Sequence, residues 1–178
     1  QVIIFLALTL FFIIYIPVRI IYDYNNVNVR FDEYKKKDLP EALLGFKIAF
    51  ISDVQADRYT DEKRLLNYVD KINKENPDLV LIAGDVITST PNYIETAAKF
   101  IGKIKAKYGV YSCVGDHDNW AYRQDYVRSL KEIESALTKY NVEMVDNELR
   151  YIVVDSSRIG ITFITNTYVS DISETTLD

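Results

Sequence analysis

Asp78-Leu79-Val80-Leu81-Ile82-Ala83-Gly84-Asp85 is an unbroken apolar run that ends abruptly in Gly-Asp. A short run of this kind, with Pro77 before it and Gly84 after it, reads as a strand buried on both faces. The pattern occurs twice more at a spacing of about thirty residues. Upstream, Phe46-Lys47-Ile48-Ala49-Phe50-Ile51 ends at Ser52-Asp53-Val54-Gln55. Downstream, Gly109-Val110-Tyr111-Ser112-Cys113 leads into Val114-Gly115-Asp116-His117-Asp118-Asn119-Trp120, which holds the only histidine of the chain.

Helical periodicity fills the intervals. Leu65, Leu66, Val69 and Ile72 share one face, with Thr60 placed as N-cap and Pro77 just past the end. Pro91 opens a second helix with Ile94, Ala97, Ala98, Ile101 and Ile104 inward, and Gly109 stops it. A third carries Val127, Leu130, Ile133 and Leu137. Strand alternating with helix at this length predicts an α/β fold with right-handed crossovers and a parallel sheet covered on both faces. Three short strands are expected next, Val142–Val145, Arg150–Val154 and Ile159–Ile164, too closely spaced for helical crossovers and so expected to pair antiparallel. The polar tail from Thr165 carries no clear pattern.

Before this domain, Val2 to Ile16 is apolar apart from Thr9 and Tyr15. Membrane spans need about 20 apolar residues, and the run lacks a small-residue cleavage site, so residues 1–22 read as an uncleaved, single-pass transmembrane anchor. Tyr15, Tyr22 and Tyr24 suit a headgroup belt. Lys35, Lys36 and Lys37 favour a cytoplasmic placement of their side, but the opposite flank needed for the comparison is missing and orientation stays open. Residues 23–45 are expected to hold a lead-in strand, Val27–Tyr34, alternating with period two, and a linker marked by Pro40 and Gly45. The chain opens on Gln1 and has its single Met at position 144, and it is expected to be part of a longer protein.

A net charge of −5 offers no nucleic-acid footprint. One cysteine, Cys113, excludes an internal disulfide and, inside an apolar strand, reads as a small buried hydrophobe.

Parallel strands bring their C-terminal ends to one edge, so Asp53, Gln55, Asp85, Asp116, His117 and Asp118 are expected on a single rim. Clustered carboxylates oppose one another's ionisation, and a divalent cation resolves the conflict. The simpler alternative is helix capping, but Asp53 and Asp85 precede their helices by too many residues to be N-caps.

Asp53-x-Gln55, Gly84-Asp85 and Gly115-Asp116-His117-Asp118, each after a strand, resemble the calcineurin-like metallophosphoesterases. Their signature is Asp-x-His, Gly-Asp-x-x-Asp and Gly-Asn-His-Asp/Glu. Leu39-Pro40 and Gly45-Phe46-Lys47-Ile48 are similar to the lead-in of membrane-anchored bacterial members. The resemblance covers residues from about 25 to 165. It implies that residues 46–178 form the N-terminal part of such a domain, half of a β-sandwich flanked by helices. It further implies two divalent ions (Mn, Fe, Zn or similar), with Asp53 and Gln55 on one, Asp85 bridging and Asp116 on the second. His117 would contact the phosphate and protonate the leaving group, Asp118 would orient its imidazole, and a metal-bridging hydroxide would attack a phosphomonoester, phosphodiester or pyrophosphate.

Three positions depart from the signature. Gln55 stands for His, Asp116 for Asn, and Thr88 for the last Asp of the middle block. An amide oxygen is a weaker ligand than imidazole for a borderline metal, so a weakened first site or a changed metal preference is expected. The later His and Gly-His-x-His of the family do not occur before Asp178. Three readings stand: a membrane-anchored phosphoesterase, a non-catalytic relative serving as a binding or scaffolding module, and an α/β domain with acidic loops and no metal.

Overall fold

The computed structural model describes residues 1–164. The tail from Thr165, for which the sequence carried no pattern, lies outside them.

Residues 1–33 and the remainder of the chain form separate compact units. The first is a helix, α1 (Val2–Asn25), followed by irregular chain. Its 24 residues rise about 36 Å, more than the ~30 Å hydrocarbon core of a bilayer. None of its side chains is buried, and it is apolar around its whole circumference, so it is long and apolar enough to cross a membrane. Near its end, Arg19 pairs with Asp23 at 2.8 Å.

The lead-in strand expected at Val27–Tyr34 does not form. Those residues are irregular, with Phe31 and Tyr34 among the most exposed side chains. Alternation makes a strand only where a neighbouring strand takes its backbone hydrogen bonds, and among the described residues no strand pairs with this segment.

In the second unit, β1 (Ile48–Ile51), β2 (Leu79–Ile82), β3 (Val110–Ser112) and β4 (Glu143–Met144) form one parallel sheet in sequential order. Three helices connect them: α2 (Glu62–Lys74), α3 (Ile94–Ile101) and α5 (Tyr126–Lys139). A single-turn helix, α4 (Asp116–Asn119), follows β3. Right-handed crossovers between strands in sequential order keep every helix on the same face. There, Val80 and Ile82 pack with Leu65 and Val69, Ala97 and Ile101, and Ile133 and Leu137. Each such side chain, fully buried, contributes about 1.5–3 kcal/mol.

The other face is covered by strands. An antiparallel hairpin, β5 (Glu148–Val154) and β6 (Ser157–Phe163), lays Ile152, Val154, Ile159 and Ile161 against Leu79, Leu81 and Tyr111. Both faces are therefore covered, but helices take only one. Coverage ends before β1, where Ile48 and Phe50 are left exposed.

Four local expectations change. Helix α2 is capped by Asp61, which accepts from the Arg64 N–H at 3.0 Å, because Thr60 is itself held by the Asp57 carboxylate. Helix α3 stops at Gly102, packed against Tyr140, so Ile104 reaches the core from a loop and Gly109 sits at φ +99 before β3. Val127 points to solvent; the inward stripe of α5 is Ser129, Ile133, Ala136 and Leu137. And β4 pairs parallel, not antiparallel, since α5 already supplies its crossover.

Candidate metal centre

The loops leaving β1, β2 and β3 are joined to one another by their own backbones. The Gln55 N–H donates to the Asp85 carbonyl at 2.7 Å and the Ala56 N–H to that of Val86 at 3.0 Å. Between the second and third loops the chains nearly touch. A Cβ on Gly84, itself at φ +75, would lie 2.3 Å from the Gly115 nitrogen. One on Gly115 would lie 2.0 Å from the Asp85 Oδ1. Only glycine admits that approach, which is why Gly precedes Asp in both motifs.

Three of the rim residues hold left-handed backbone: Asp53 at φ 54, Gln55 at φ 43 and Asp85 at φ 54. Asp visits that region more readily than most residues, Gln less so. Each such position costs on the order of 1–3 kcal/mol, and clusters of them mark functional sites.

Asp118 is where the sequence expectation fails. It does not orient the imidazole. Its buried carboxylate accepts from the N–H groups of Asp85 (3.0 Å), Val86 (2.8 Å), Ile87 (3.4 Å) and Gly115 (3.0 Å), fastening the second loop to the third. Burial pushes its pKa up to about 6, against the pull of those donors. The imidazole is held instead by Thr88, whose carbonyl bonds its Nδ1. The same threonine donates its hydroxyl to the Gln55 carbonyl and the Asp57 carboxylate, each at 3.2 Å. Sequence reasoning gave Thr88 no role; its place as fifth residue of the Gly-Asp-x-x-Asp block was the available signal.

With the loops so fixed, donor atoms of Asp85, Asp116 and His117 lie within 4.8 Å of one another. Burial raises the Asp85 pKa, and the charges of Asp116 and Asp53 raise it further, while the His117 backbone N–H, donating to Oδ1 at 3.1 Å, opposes them. For His117 burial favours the neutral ring, but the Thr88 carbonyl and the carboxylates of Asp85, Asp116 and Asp118 outweigh it and raise the pKa. Asp53 stands outside that trio. It is exposed and reaches it through Gln55, whose Nε2 lies 3.3 Å from the Asp53 Oδ1 and 3.5 Å from the Asp85 Oδ2. Five of the six predicted residues thus meet, Asp85, Asp116 and His117 in one group and Asp53 with Gln55 beside it, while the sixth, Asp118, is buried beneath them.

Cys113, beside this rim, has its thiol pushed up by burial and is poorly suited to act as a nucleophile.

A desolvated carboxylate crowded by two others is the environment a divalent cation relieves, and the donor set fits one. Residues 46–175 match the family model described as calcineurin-like phosphoesterase. The chain belongs to that family. It is 33% identical over 86 residues to a transmembrane protein with metallophosphoesterase domain of Danio rerio, covering 48% of this chain and 20% of that protein. To an uncharacterized metallophosphoesterase of Campylobacter jejuni it is 26% identical over 139 residues, 76% of this chain and 35% of the relative. To one of Bacillus subtilis it is 30% identical over 98 residues, 54% and 34% of the two chains. The chain therefore spans about a third or less of the length of these relatives.

Proposed function

We propose that this metallophosphoesterase domain, residues 46–178, hydrolyses a phosphomonoester, phosphodiester or pyrophosphate with two divalent ions, and that α1 anchors it in a membrane as a single-pass protein. The observation that carries the reading is the convergence of Asp85, Asp116 and His117 within 4.8 Å on the strand-end rim of a family member. Asp53, Gln55 and Asp85 would hold one ion, and Asp85 and Asp116 the other. When bound, such ions neutralise charge on a phosphoryl oxygen and make water a usable nucleophile at neutral pH.

The protein's own groups then have separate tasks. Thr88 keeps the His117 proton on Nδ1 by accepting from it, so protonation of the ring puts a donatable proton on Nε2. Its raised pKa keeps that second proton in place to higher pH, which suits a general acid for the leaving oxygen. Asp118 takes part by holding the backbone of Asp85 and Gly115, not by touching the reacting atoms. The membrane helix favours a substrate presented at a lipid surface, and the relatives named transmembrane proteins with this domain support the same placement.

The test is hydrolysis of a chromogenic phosphodiester by the full-length natural protein with Mn²⁺. His117→Ala is expected to lower the rate by roughly 10²–10⁴-fold while leaving the fold intact. A full-length protein that retains no metal and turns over none of the ester has lost hydrolysis. Gln55 and Asp116, the two departures from the signature, favour that second reading, a membrane-bound binding or scaffolding module.

A further inference from the structure

We infer that the edge of the sheet opposite the metal rim is a docking surface for anionic lipid headgroups, laid against the membrane that α1 crosses. The inference goes beyond the proposed hydrolysis and rests on one part of that reading, that α1 is a membrane anchor.

A parallel sheet gathers the N-terminal ends of its strands as it gathers the C-terminal ends, and lysines collect there. Lys47 precedes β1, Lys71 and Lys74 close α2, and Lys103, Lys105 and Lys107 lie between α3 and β3. In that last segment Ile104 and Ala106 pack on the core, so the alternate lysines face solvent. Asn73 ties the segment to α2, donating to the Lys103 carbonyl at 3.0 Å and accepting from the Lys105 N–H at 2.7 Å. A cavity of about 770 Å³ opens beside them, with Lys105 and Lys107 on its wall.

All six lysines are exposed, and the ion pairs of the described residues involve none of them. Lys47 donates its Nζ to the Glu75 carbonyl at 3.2 Å, and Lys103 and Lys107 lie over the rings of Phe100 and Tyr108. The acids nearby are Glu75, Asp155 and Asp78, and the Asp78 carboxylate is taken by the Lys47 N–H at 2.8 Å. The helix dipole accounts for Lys71 and Lys74 at the end of α2, but not for Lys105 and Lys107 in irregular chain. Unpaired lysines are almost never buried, so any chain beyond residue 178 leaves this edge to water or brings anions to it.

The tether selects lipid as the anion. The chain enters the domain at this same edge, through Lys47, and Lys35, Lys36 and Lys37 stand between it and α1. Each lysine brought near an anionic leaflet multiplies the docked-to-free ratio by about five. Docked by this edge, the domain turns its metal rim away from the bilayer. A lipid-borne ester is then reached only from the undocked domain, a soluble one from both.

The test places the full-length natural protein in nanodiscs of phosphatidylcholine, with and without phosphatidylglycerol. The acylation rate of each lysine by an amine-reactive reagent is read by mass spectrometry. With the anionic lipid, Lys71, Lys74, Lys103, Lys105 and Lys107 are expected to react at least about fivefold more slowly. They should regain their rates in about 1 M salt, where charges are screened within roughly 3 Å. Lys63, at the rim end of α2, should keep its rate throughout. Lys105→Glu with Lys107→Glu is expected to abolish the protection of Lys71, Lys74 and Lys103, and the corresponding pair of Arg substitutions to preserve it. Equal rates on the two kinds of nanodisc overturn the inference, as does protection of Lys63 in place of the five. Protection that persists without anionic lipid would mean that protein covers this edge, and overturns it too. A full-length protein that stays outside the nanodiscs removes the anchor and the inference together, whereas hydrolysis of the soluble chromogenic ester stands or falls separately.

Discussion

The two halves of the rim are built to different standards. The half at the ends of β2 and β3 is buried, close-packed and cross-bonded: Gly84 lies against Gly115, and Asp118 accepts four backbone N–H groups from both loops. The half at the end of β1 stands on the exposed margin of the sheet, and its side chains meet only through long contacts from Gln55. In the first, Gly84, Gly115 and Asp118 are tied into the core and cannot be altered without loss of stability. The second is adjustable, and it is there that the chain departs most consequentially from its family's signature.

Breaking the rigid half should therefore cost stability before it costs chemistry. Asp118→Ala leaves four backbone donors of buried hydrogen bonds unpaired. It is expected to destabilise by about 4 kcal/mol, at 1–3 kcal/mol for each group that finds no partner, seen as a fall in the urea midpoint with unchanged slope. Gly115→Ala comes next. Its Cβ would have to displace the Asp85 backbone and carboxylate from 2.0–2.3 Å, and overpacking of that kind costs about 3 kcal/mol. Metal binding should be lost along with it, because the atom displaced belongs to Asp85, the carboxylate proposed to bridge the ions.

A pH titration probes the rigid half without mutation. The Asp118 pKa is raised in the fold, to about 6, so between its unfolded value near 4 and that pH the native state binds the extra proton. Stability of the metal-free protein should therefore fall as pH rises from about 4 to about 6, by on the order of 2–3 kcal/mol. His117 continues the trend: its raised pKa contributes stability that is complete below the unfolded value and lost as pH rises through the folded one. Asp118→Asn should make the lower part of the curve shallower, leaving the contribution of the raised Asp85 pKa there and the His117 part above it. Denaturant midpoints measured across that range provide the check.

The same contrast explains what could be read from the residues alone. Strand, helix and rim were legible because apolar runs ending in Gly-Asp are written locally, in adjacent positions. The family resemblance was legible for the same reason. The partners of Asp118 and His117 were not. The family resemblance implied that Asp118 orients the His117 imidazole, whereas the one-turn helix α4 points Asp118 into the core and turns His117 toward Thr88 on another loop. Nor was the parallel pairing of β4 legible, because a two-residue strand takes its direction from the helix before it. The lead-in at Val27–Tyr34 failed for the opposite reason: its alternation is present, but alternation says nothing about whether a neighbouring strand exists.

The smallest effect falls on the adjustable half, and its sign is the informative part. Gln55 holds a left-handed backbone that costs an ordinary residue about 1–2 kcal/mol and glycine nothing. Glycine gives back roughly 0.5–1 kcal/mol through the greater entropy of its unfolded chain. The side chain it replaces is half-exposed and makes only two long hydrogen bonds, so its loss subtracts little. Gln55→Gly should therefore leave the metal-free protein as stable as before, or more stable by about 0.5 kcal/mol, while weakening Mn²⁺ binding. Thermal melts with and without Mn²⁺ test both parts together. A gain without metal and a smaller metal-induced shift would mean that the strain at position 55 is kept for the ion and not for the fold. A loss of 2 kcal/mol or more without metal would place Gln55 in the rigid half, and the division between the two would have to be redrawn.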